Sequence, residues 1–276
     1  MKDIKGSIAL VTGGSRGLGP HIARLLAKEG VNIALTARTK NALDETIDTL
    51  TSFNIEAKAF PADLTDAASR TSLLENVKNH FGPIDLLINN AGMEWVCAYS
   101  DMSPEQIETM IQTNMIAPML LTRMVMPDML ERKKGHIVTM SSLGGKKGSP
   151  YSATYAATKA SLIQWTSGIR LELRGTGVSA SVICPGFVSE SGMFAVYGKK
   201  APEITGETTP GKVALAVIRA IKKDIQEIVV NPGLIWPMVM LDAIDPGIMC
   251  WVLRKFGVYE FYRKQAEDNQ KQGANF

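Results

Sequence analysis

The stretch Ile8-Ala9-Leu10-Val11-Thr12-Gly13-Gly14-Ser15-Arg16-Gly17-Leu18-Gly19 decides how this chain is built. Ile8 to Val11 is a short apolar run. Behind the glycines comes a helical pattern, with Ile22, Leu25 and Leu26 on one side and Gly30 closing it. Strand, glycine loop, helix is an arrangement suited to phosphate. Glycine permits positive φ and close backbone approach, and a helix N-terminus offers free N–H groups to a pyrophosphate. Gly13, Ser15, Arg16, Gly17, Leu18 and Gly19 are therefore candidate cofactor-binding residues, although a glycine loop by itself also makes plain turns. The spacing is Gly-x-x-x-Gly-x-Gly, not the Gly-x-Gly-x-x-Gly of the longer dinucleotide fingerprint.

Outward from that loop, strand and helix patterns alternate. Val31 to Thr36 reads as a second strand, Asn41 to Phe53 as an amphipathic helix and Ile55 to Phe60 as a third strand. Asp66 is placed to cap a helix over Ala67 to Phe81, and Ile84 to Ile88 is a short buried strand. Pro104 to Leu130 is one long helical stretch with Asn114 in its middle, where an asparagine needs partners if buried. His136 to Ser142 is the next strand, with His136 expected at the surface or edge. Ser179 to Cys184 is a strand broken by Pro185-Gly186, Val213 to Ile221 is helical, and Ile225 to Val230 is the last strand. With no internal repeat, the fold class expected is α/β: a single doubly wound parallel sheet.

Residues 1–233 are expected to form this one domain. Phe187 to Pro210, rich in Gly, Ser, Thr and Pro, has the length usually reserved for lids. Residues 234–276 form a C-terminal extension with apolar runs at Leu234 to Leu241 and Ile248 to Leu253, followed by Arg254-Lys255 and several aromatics. Pro237, Pro246, Asp242 and Asp245 interrupt it, so it does not span a bilayer. Packing on the same domain or on a sister subunit is the preferred reading, and peripheral contact with a membrane interface is the alternative.

Composition narrows the function classes. The 276 residues are 45% hydrophobic and 21% charged with a net charge of +3, and no basic block marks a nucleic-acid surface. Cys97, Cys184 and Cys250 have no metal-ligand spacing, and nothing pairs His21 with His80, so no metal site is expected. Sparse cysteines fit a reducing compartment and read as buried inert thiols. A cytoplasmic chain is expected.

Candidate chemistry gathers at the sheet's C-terminal edge. Where an Asp or Glu often holds a ribose 2′-hydroxyl, this chain has Ala37-Arg38, with Arg16 in the loop itself. Two guanidiniums suit a 2′-phosphate, so NADP(H) is expected over NAD(H). Asp63 and Leu64, at a strand end, are placed to reach an adenine ring, or Asp63 merely to cap a helix. Asn90, Ala91 and Gly92 fit the ligand edge of the sheet or a plain turn. Tyr155 and Lys159, four residues apart, share a helix face. An ammonium there should lower the phenol pKa from its usual value of about 10, readying it to protonate a carbonyl oxygen. Taken alone, the two are equally an ordinary surface pair. Ser142 ends a strand and should emerge at the same edge. Lys146 and Lys147 read as a solvated pair or as contacts for an anionic substrate tail. Trp95, Phe187, Met193, Phe194 and Tyr197 supply a largely apolar substrate wall.

Thr12 to Gly19, Asn89-Asn90-Ala91-Gly92, Asn114, Ser142, Tyr155-x-x-x-Lys159 and Pro185-Gly186, in this order and spacing, resemble the short-chain dehydrogenase/reductase family over roughly Lys5 to Pro232. The resemblance implies a Rossmann-fold NAD(P)-dependent oxidoreductase with an Asn114–Ser142–Tyr155–Lys159 catalytic tetrad. The family's serine stands thirteen residues before the tyrosine, which selects Ser142 over Ser141. The resemblance also implies that Lys159 bonds the nicotinamide ribose and that Asn114 holds a water linking Lys159 to solvent. Pro185, Gly186 and Val188 fall at its nicotinamide contacts, with Ser189 where threonine is common. Arg16 and Arg38 match its NADP-preferring members. The implied partner is a small hydrophobic ketone or secondary alcohol, a 3-oxoacyl, steroid-like or natural-product carbonyl, handled by a homodimer or homotetramer. An NAD-dependent alcohol oxidiser and a catalytically idle NADP-sensing scaffold are the competing readings.

Overall fold

Strands buried on both faces make the centre of this molecule, which is why they read as continuous apolar runs. In β1 (Ile8–Thr12), Ala9 and Val11 enter one half of the core and Leu10 the other. The computed structural model describes residues 2–233 and 235–271. Leu234 and residues 272–276, within the expected C-terminal extension, lie outside the described residues, as do the side chains of Ile235 and Trp236.

After β1 come α1 (Leu18–Lys28), β2 (Asn32–Thr36), α2 (Lys40–Asp48), β3 (Ala57–Ala59), α3 (Ala67–Phe81) and β4 (Leu86–Asn89). Next are α4 (Pro104–Ile111), a π turn (Gln112–Ile116), α5 (Ala117–Glu131), β5 (Gly135–Met140), α6 (Ala153–Glu172) and β6 (Val178–Pro185). The chain ends through β7 (Phe187–Val188), β8 (Glu207–Thr208), α7 (Pro210–Lys223), β9 (Glu227–Val230), α8 (Ile235–Ile244), α9 (Pro246–Lys255) and α10 (Val258–Lys271). A parallel sheet of order β3-β2-β1-β4-β5-β6-β9 forms the middle layer, the doubly wound arrangement that the alternation implies. Ile22 and Leu26 of α1 with Val213 and Val217 of α7 cover one face. Leu73 and Val77 of α3 with Leu121, Val125 and Met129 of α5 cover the other.

Several expectations need correction. The helix over Pro104 to Leu130 is not continuous, because the π turn at 112–116 interrupts it. Pro118 has no N–H for the Asn114 carbonyl, so the regular ladder cannot close there. His136 is not at the surface but fully buried in β5, its Nε2 2.8 Å from Ser181 Oγ on the adjacent strand. Burial pushes its pKa down to about 3, so it stays neutral. The second helix stops at Asp48 instead of Phe53, where the Thr49 and Thr51 hydroxyls donate to the carbonyls of Thr46 and Asp48 at 2.7 and 2.8 Å. Cys184 is buried, but Cys97 is only half-buried and Cys250 is exposed.

The tail folds back on its own chain. Asn269 Nδ2 donates to the Val96 carbonyl at 2.9 Å, Lys199 pairs with Asp268 at 2.6 Å, and the Phe261 ring centre lies 5.4 Å from that of Phe187. Among the described residues, no helix is long and apolar enough to cross a membrane.

Candidate active site

The strand order reverses at β1, which lies between β2 and β4, so the loops leaving β1 and β4 diverge over a crevice. Register places Val11 beside Ile88, and the glycine loop runs against Asn90-Ala91-Gly92. Thr12 locks the two together: its Oγ1 accepts from the Asn90 and Ala91 N–H groups at 2.9 and 3.0 Å and donates to the Ile88 carbonyl. Asn90 Nδ2 donates back to the carbonyls of Thr12 and Gly13, so its side chain fixes the loop. A Cβ at Gly19 would stand 2.1 Å from the Gly13 oxygen, and one at Gly13, where φ is +65°, 2.9 Å from Ala91 Cα. Only glycine fits either place.

No side chain caps the start of α1, leaving its first N–H groups directed at the crevice. Ser15 and Leu18 line the same space, and Arg16 and Arg38 stand exposed at its rim. Among the described residues, neither arginine has an ion-pair partner within salt-bridge distance. Asp63 turns inward on itself: Thr65 N and Oγ1 donate to its carboxylate at 2.9 and 2.7 Å, which together with nearby Arg38 holds its pKa below the ordinary value. The N-cap of α3 is Asp66, as expected. Leu64 lines the crevice beside Asp63. A glycine cradle, free helix N–H groups and unpaired arginines are what a dinucleotide with an extra phosphate needs, so the residues present fit NADP(H).

At the other end of the same cavity, about 1030 Å³ in volume, stand Ser142, Tyr155 and Lys159, three of the four residues of the expected tetrad. Tyr155 and Lys159 are buried on α6, with the ammonium 5.6 Å from the phenol ring centre. Lys159 Nζ donates to the Met140 carbonyl at 2.9 Å, tying α6 to the end of β5. Ser142, just beyond β5, accepts from Gly144 N at 3.1 Å and lines the cavity beside the Tyr155 phenol. Asn114 does not line the cavity. From the π turn, its Oδ1 accepts from Met93 N and its Nδ2 donates to Met93 O, both at 2.8 Å, and to Thr158 Oγ1 at 3.2 Å. Gly92 fits between Asn114 and Lys159, since a Cβ there would be 3.3 Å from both side chains. Gly145 lets α6 approach, a Cβ standing 2.7 Å from the Lys159 carbonyl carbon. Pro185, Gly186 and Val188 border the space between the two ends.

The electrostatics differ from expectation. In the protein alone the Tyr155 pKa is raised, first by burial and then by the Glu94 carboxyl, with the Ser142 hydrogen bond opposing. Burial outweighs the Lys159 ammonium beside the ring. The lysine is itself pushed down to about 8 by burial, against the opposing pull of Glu94 and Cys184. Lys146 and Lys147 are not a solvated pair: they bridge to Glu227 and Asp242 at 2.7 and 2.6 Å, partly buried.

Trp95, Phe187, Met193, Phe194 and Tyr197 all line the cavity. Sequence reasoning missed Glu94, which sits among them, and Met249, Leu253 and Tyr262 from the tail. A lone acid between Met93 and Trp95 was the available signal for Glu94; for the tail, its apolar and aromatic runs allowed a place over the substrate mouth without singling out these residues.

Comparison with known proteins agrees with this geometry. The profile of the short chain dehydrogenase family matches residues 7–201. The chain is 40% identical over 278 residues to the ketoacyl reductase HetN of Nostoc sp., covering 99% of this chain and 97% of that protein. A metagenomic short-chain oxidoreductase solved in complex with NADP superposes with a TM-score of 0.72 at 31% identity, covering 84% of this chain and 99% of that one. A variant of actinorhodin polyketide ketoreductase solved with NADPH gives 0.74 at 29% identity, covering 82% and 95%.

Proposed function

Because the chain belongs to the short-chain dehydrogenase family, we propose that it is an NADPH-dependent reductase of the keto group of 3-oxoacyl chains or similarly hydrophobic carbonyl compounds. The observation that carries this reading is one continuous cavity, with unpaired Arg16 and Arg38 at one end and Ser142 beside Tyr155 at the other.

When bound, NADPH supplies the hydride that reduces the carbonyl carbon. Gly13, Ser15, Gly17, Leu18 and Gly19 would hold its pyrophosphate, Arg16 and Arg38 its 2′-phosphate, Asp63 and Leu64 its adenine side, and Pro185, Gly186 and Val188 its nicotinamide side. Ser142 Oγ donates to the carbonyl oxygen and stabilises the alkoxide that develops there. Tyr155 gives that oxygen its phenolic proton, completing the alcohol. Burial keeps the phenol protonated near neutrality, the state a donor requires. Lys159, held by the Met140 carbonyl, offsets the phenolate left behind. Asn114 positions the Met93 backbone and, through Thr158, the helix that carries both groups.

The 3-oxoacyl class is favoured by the apolar wall and by the ketoacyl reductase among the relatives. Residues 1–233 carry the chemistry in this reading, with 187–210 as the lid and 235–271 closing the substrate end. NADPH consumption with a series of 3-oxoacyl thioesters, set against NADH, tests it. Turnover that rises with acyl length and prefers NADPH is expected; no consumption across the series would overturn it.

A further inference from the structure

Glu94 is the acid that the mechanism above leaves without a task. It follows the Asn90-Ala91-Gly92 turn and lines the cavity beside Tyr155. Each of its carboxyl oxygens holds a hydroxyl from a different part of the chain. Ser152 Oγ donates to Oε1 at 2.6 Å, and Tyr197 OH donates to Oε2 at 3.1 Å. Ser152 is fully buried at the first position before α6, where a serine normally caps the helix. Here its hydroxyl makes no cap bond and is turned to Glu94. Tyr197 closes the short helical turn Ala195–Tyr197 inside the segment read as the lid. One carboxyl thus joins the loop after β4, the root of the Tyr155 helix and the lid.

Burial pushes the Glu94 pKa up, and only Ser152, Tyr197 and Lys159 pull it back. Burying an acid is expensive unless both oxygens are satisfied, and an apolar residue would fill this wall more cheaply. The titratable groups facing it are Tyr155 and Lys159 from α6, Tyr197 from the lid and Tyr262 from α10.

We propose that Glu94 is a positioning residue, joining the Tyr197 turn of the lid to the start of the Tyr155 helix so that the cavity closes around the substrate carbonyl. This rests on the reading of the site as a ketone-reducing one. Two acceptor oxygens serve two donors. Glutamine has one acceptor oxygen and retains part of the tie, alanine retains none, and Tyr197→Phe removes the lid's half alone.

The test uses the full chain with NADPH and acetoacetyl-CoA as probe. Glu94→Ala and Tyr197→Phe are each expected to raise KM by about tenfold or more, with a smaller effect on kcat, and Glu94→Gln should fall between Ala and wild type. Because both act through one tie, Glu94→Ala combined with Tyr197→Phe should be no worse in KM than Glu94→Ala alone. Amide hydrogen exchange over 187–210, measured without substrate, should quicken in every variant. Additive effects on KM, or lid exchange unchanged from wild type, would overturn the inference. If wild type fails to consume NADPH with the probe, the reductase reading falls instead, and the exchange rates still decide whether Glu94 holds the lid.

Discussion

In the proposed reaction turnover depends on a single hydroxyl, that of Tyr155, and its neighbours say how. Ser142 stands beside it in the cavity, burial keeps it protonated, and Lys159 lies against the ring. Tyr155→Phe keeps the ring and removes only the proton. The expected outcome is a fall in kcat of roughly 10²–10⁴-fold with NADPH affinity unchanged, read by steady-state kinetics and nucleotide fluorescence titration. Glu94 makes a prediction about stability. Its ordinary pKa is 4.5 and the fold raises it, so between those values the folded chain holds a proton that the unfolded chain has released. Stability from this group is therefore full below the ordinary pKa and is lost as pH rises through the folded value. Glu94→Gln has no such loss, so its Tm relative to wild type should climb as pH rises above the ordinary Glu94 value of 4.5; a constant difference would refute the assignment. Tyr155, Lys159, Ser142 and the glycines were legible because their chemistry demands fixed spacings or shared strand ends. Glu94 was not, since its partners stand 58 and 103 positions away. The direction of the Tyr155 shift was also misread, because a sequence shows the ammonium nearby but not the burial that outweighs it.

Among elements, the glycine loop and α1 act as one unit. Gly19 sits where the first turn of α1 crosses the loop, and an added methyl would meet the Gly13 oxygen at 2.1 Å with backbone on both sides. No rotamer relieves that clash. Gly19→Ala is expected to cost about 1–3 kcal/mol in denaturant unfolding and to abolish nucleotide binding, because α1 must move off the loop it completes. The arginines at the crevice rim make a separate prediction. Arg38→Ser should weaken NADPH binding by about 10–100-fold while leaving NADH nearly untouched, since a charge-assisted bond to phosphate is worth about 1.5–3 kcal/mol. Equal loss with both nucleotides would remove Arg38 from the 2′-phosphate. This strand-loop-helix unit could be read directly, its partners being near in sequence. The π turn could not: Asn114 looked like an awkward residue in a continuous helix, and its reason lies in the Met93 backbone, 21 positions away. His136 was placed at an edge because histidine is usually polar surface. The structure puts it in the middle of the sheet, where Ser181 partners its Nε2.

For the molecule as a whole, the sheet order follows from alternating patterns, but the shape of the substrate end does not. The tail had two open destinations in sequence, protein or membrane interface, because an apolar run names no partner. In the structure, α10 lays Phe261 against Phe187 and Phe194, at ring-centre distances of 5.4 and 6.1 Å, and brings Tyr262 to the cavity. Tyr259 meets Tyr151 hydroxyl to hydroxyl at 3.2 Å, and Asn269 reaches the Val96 carbonyl. These contacts reach the 93–98 loop and the segment read as the lid, so in the proposed reading α10 bears on substrate fit. Aromatic pairs of this kind contribute about 0.5–1.5 kcal/mol each beyond the area they bury. A chain truncated after Gly257 loses all of them and leaves the sheet intact. It should bind NADPH as before and reduce a short 3-oxoacyl thioester at a similar kcat, because Ser142, Tyr155 and Lys159 are held by β5 and α6. Its KM for a long-chain thioester should rise by roughly tenfold or more, the wall that grips the chain having opened. Parallel kinetics on a short and a long substrate check this. An equal change for both lengths would mean that α10 supports the whole site and does not form the far wall of the acyl pocket.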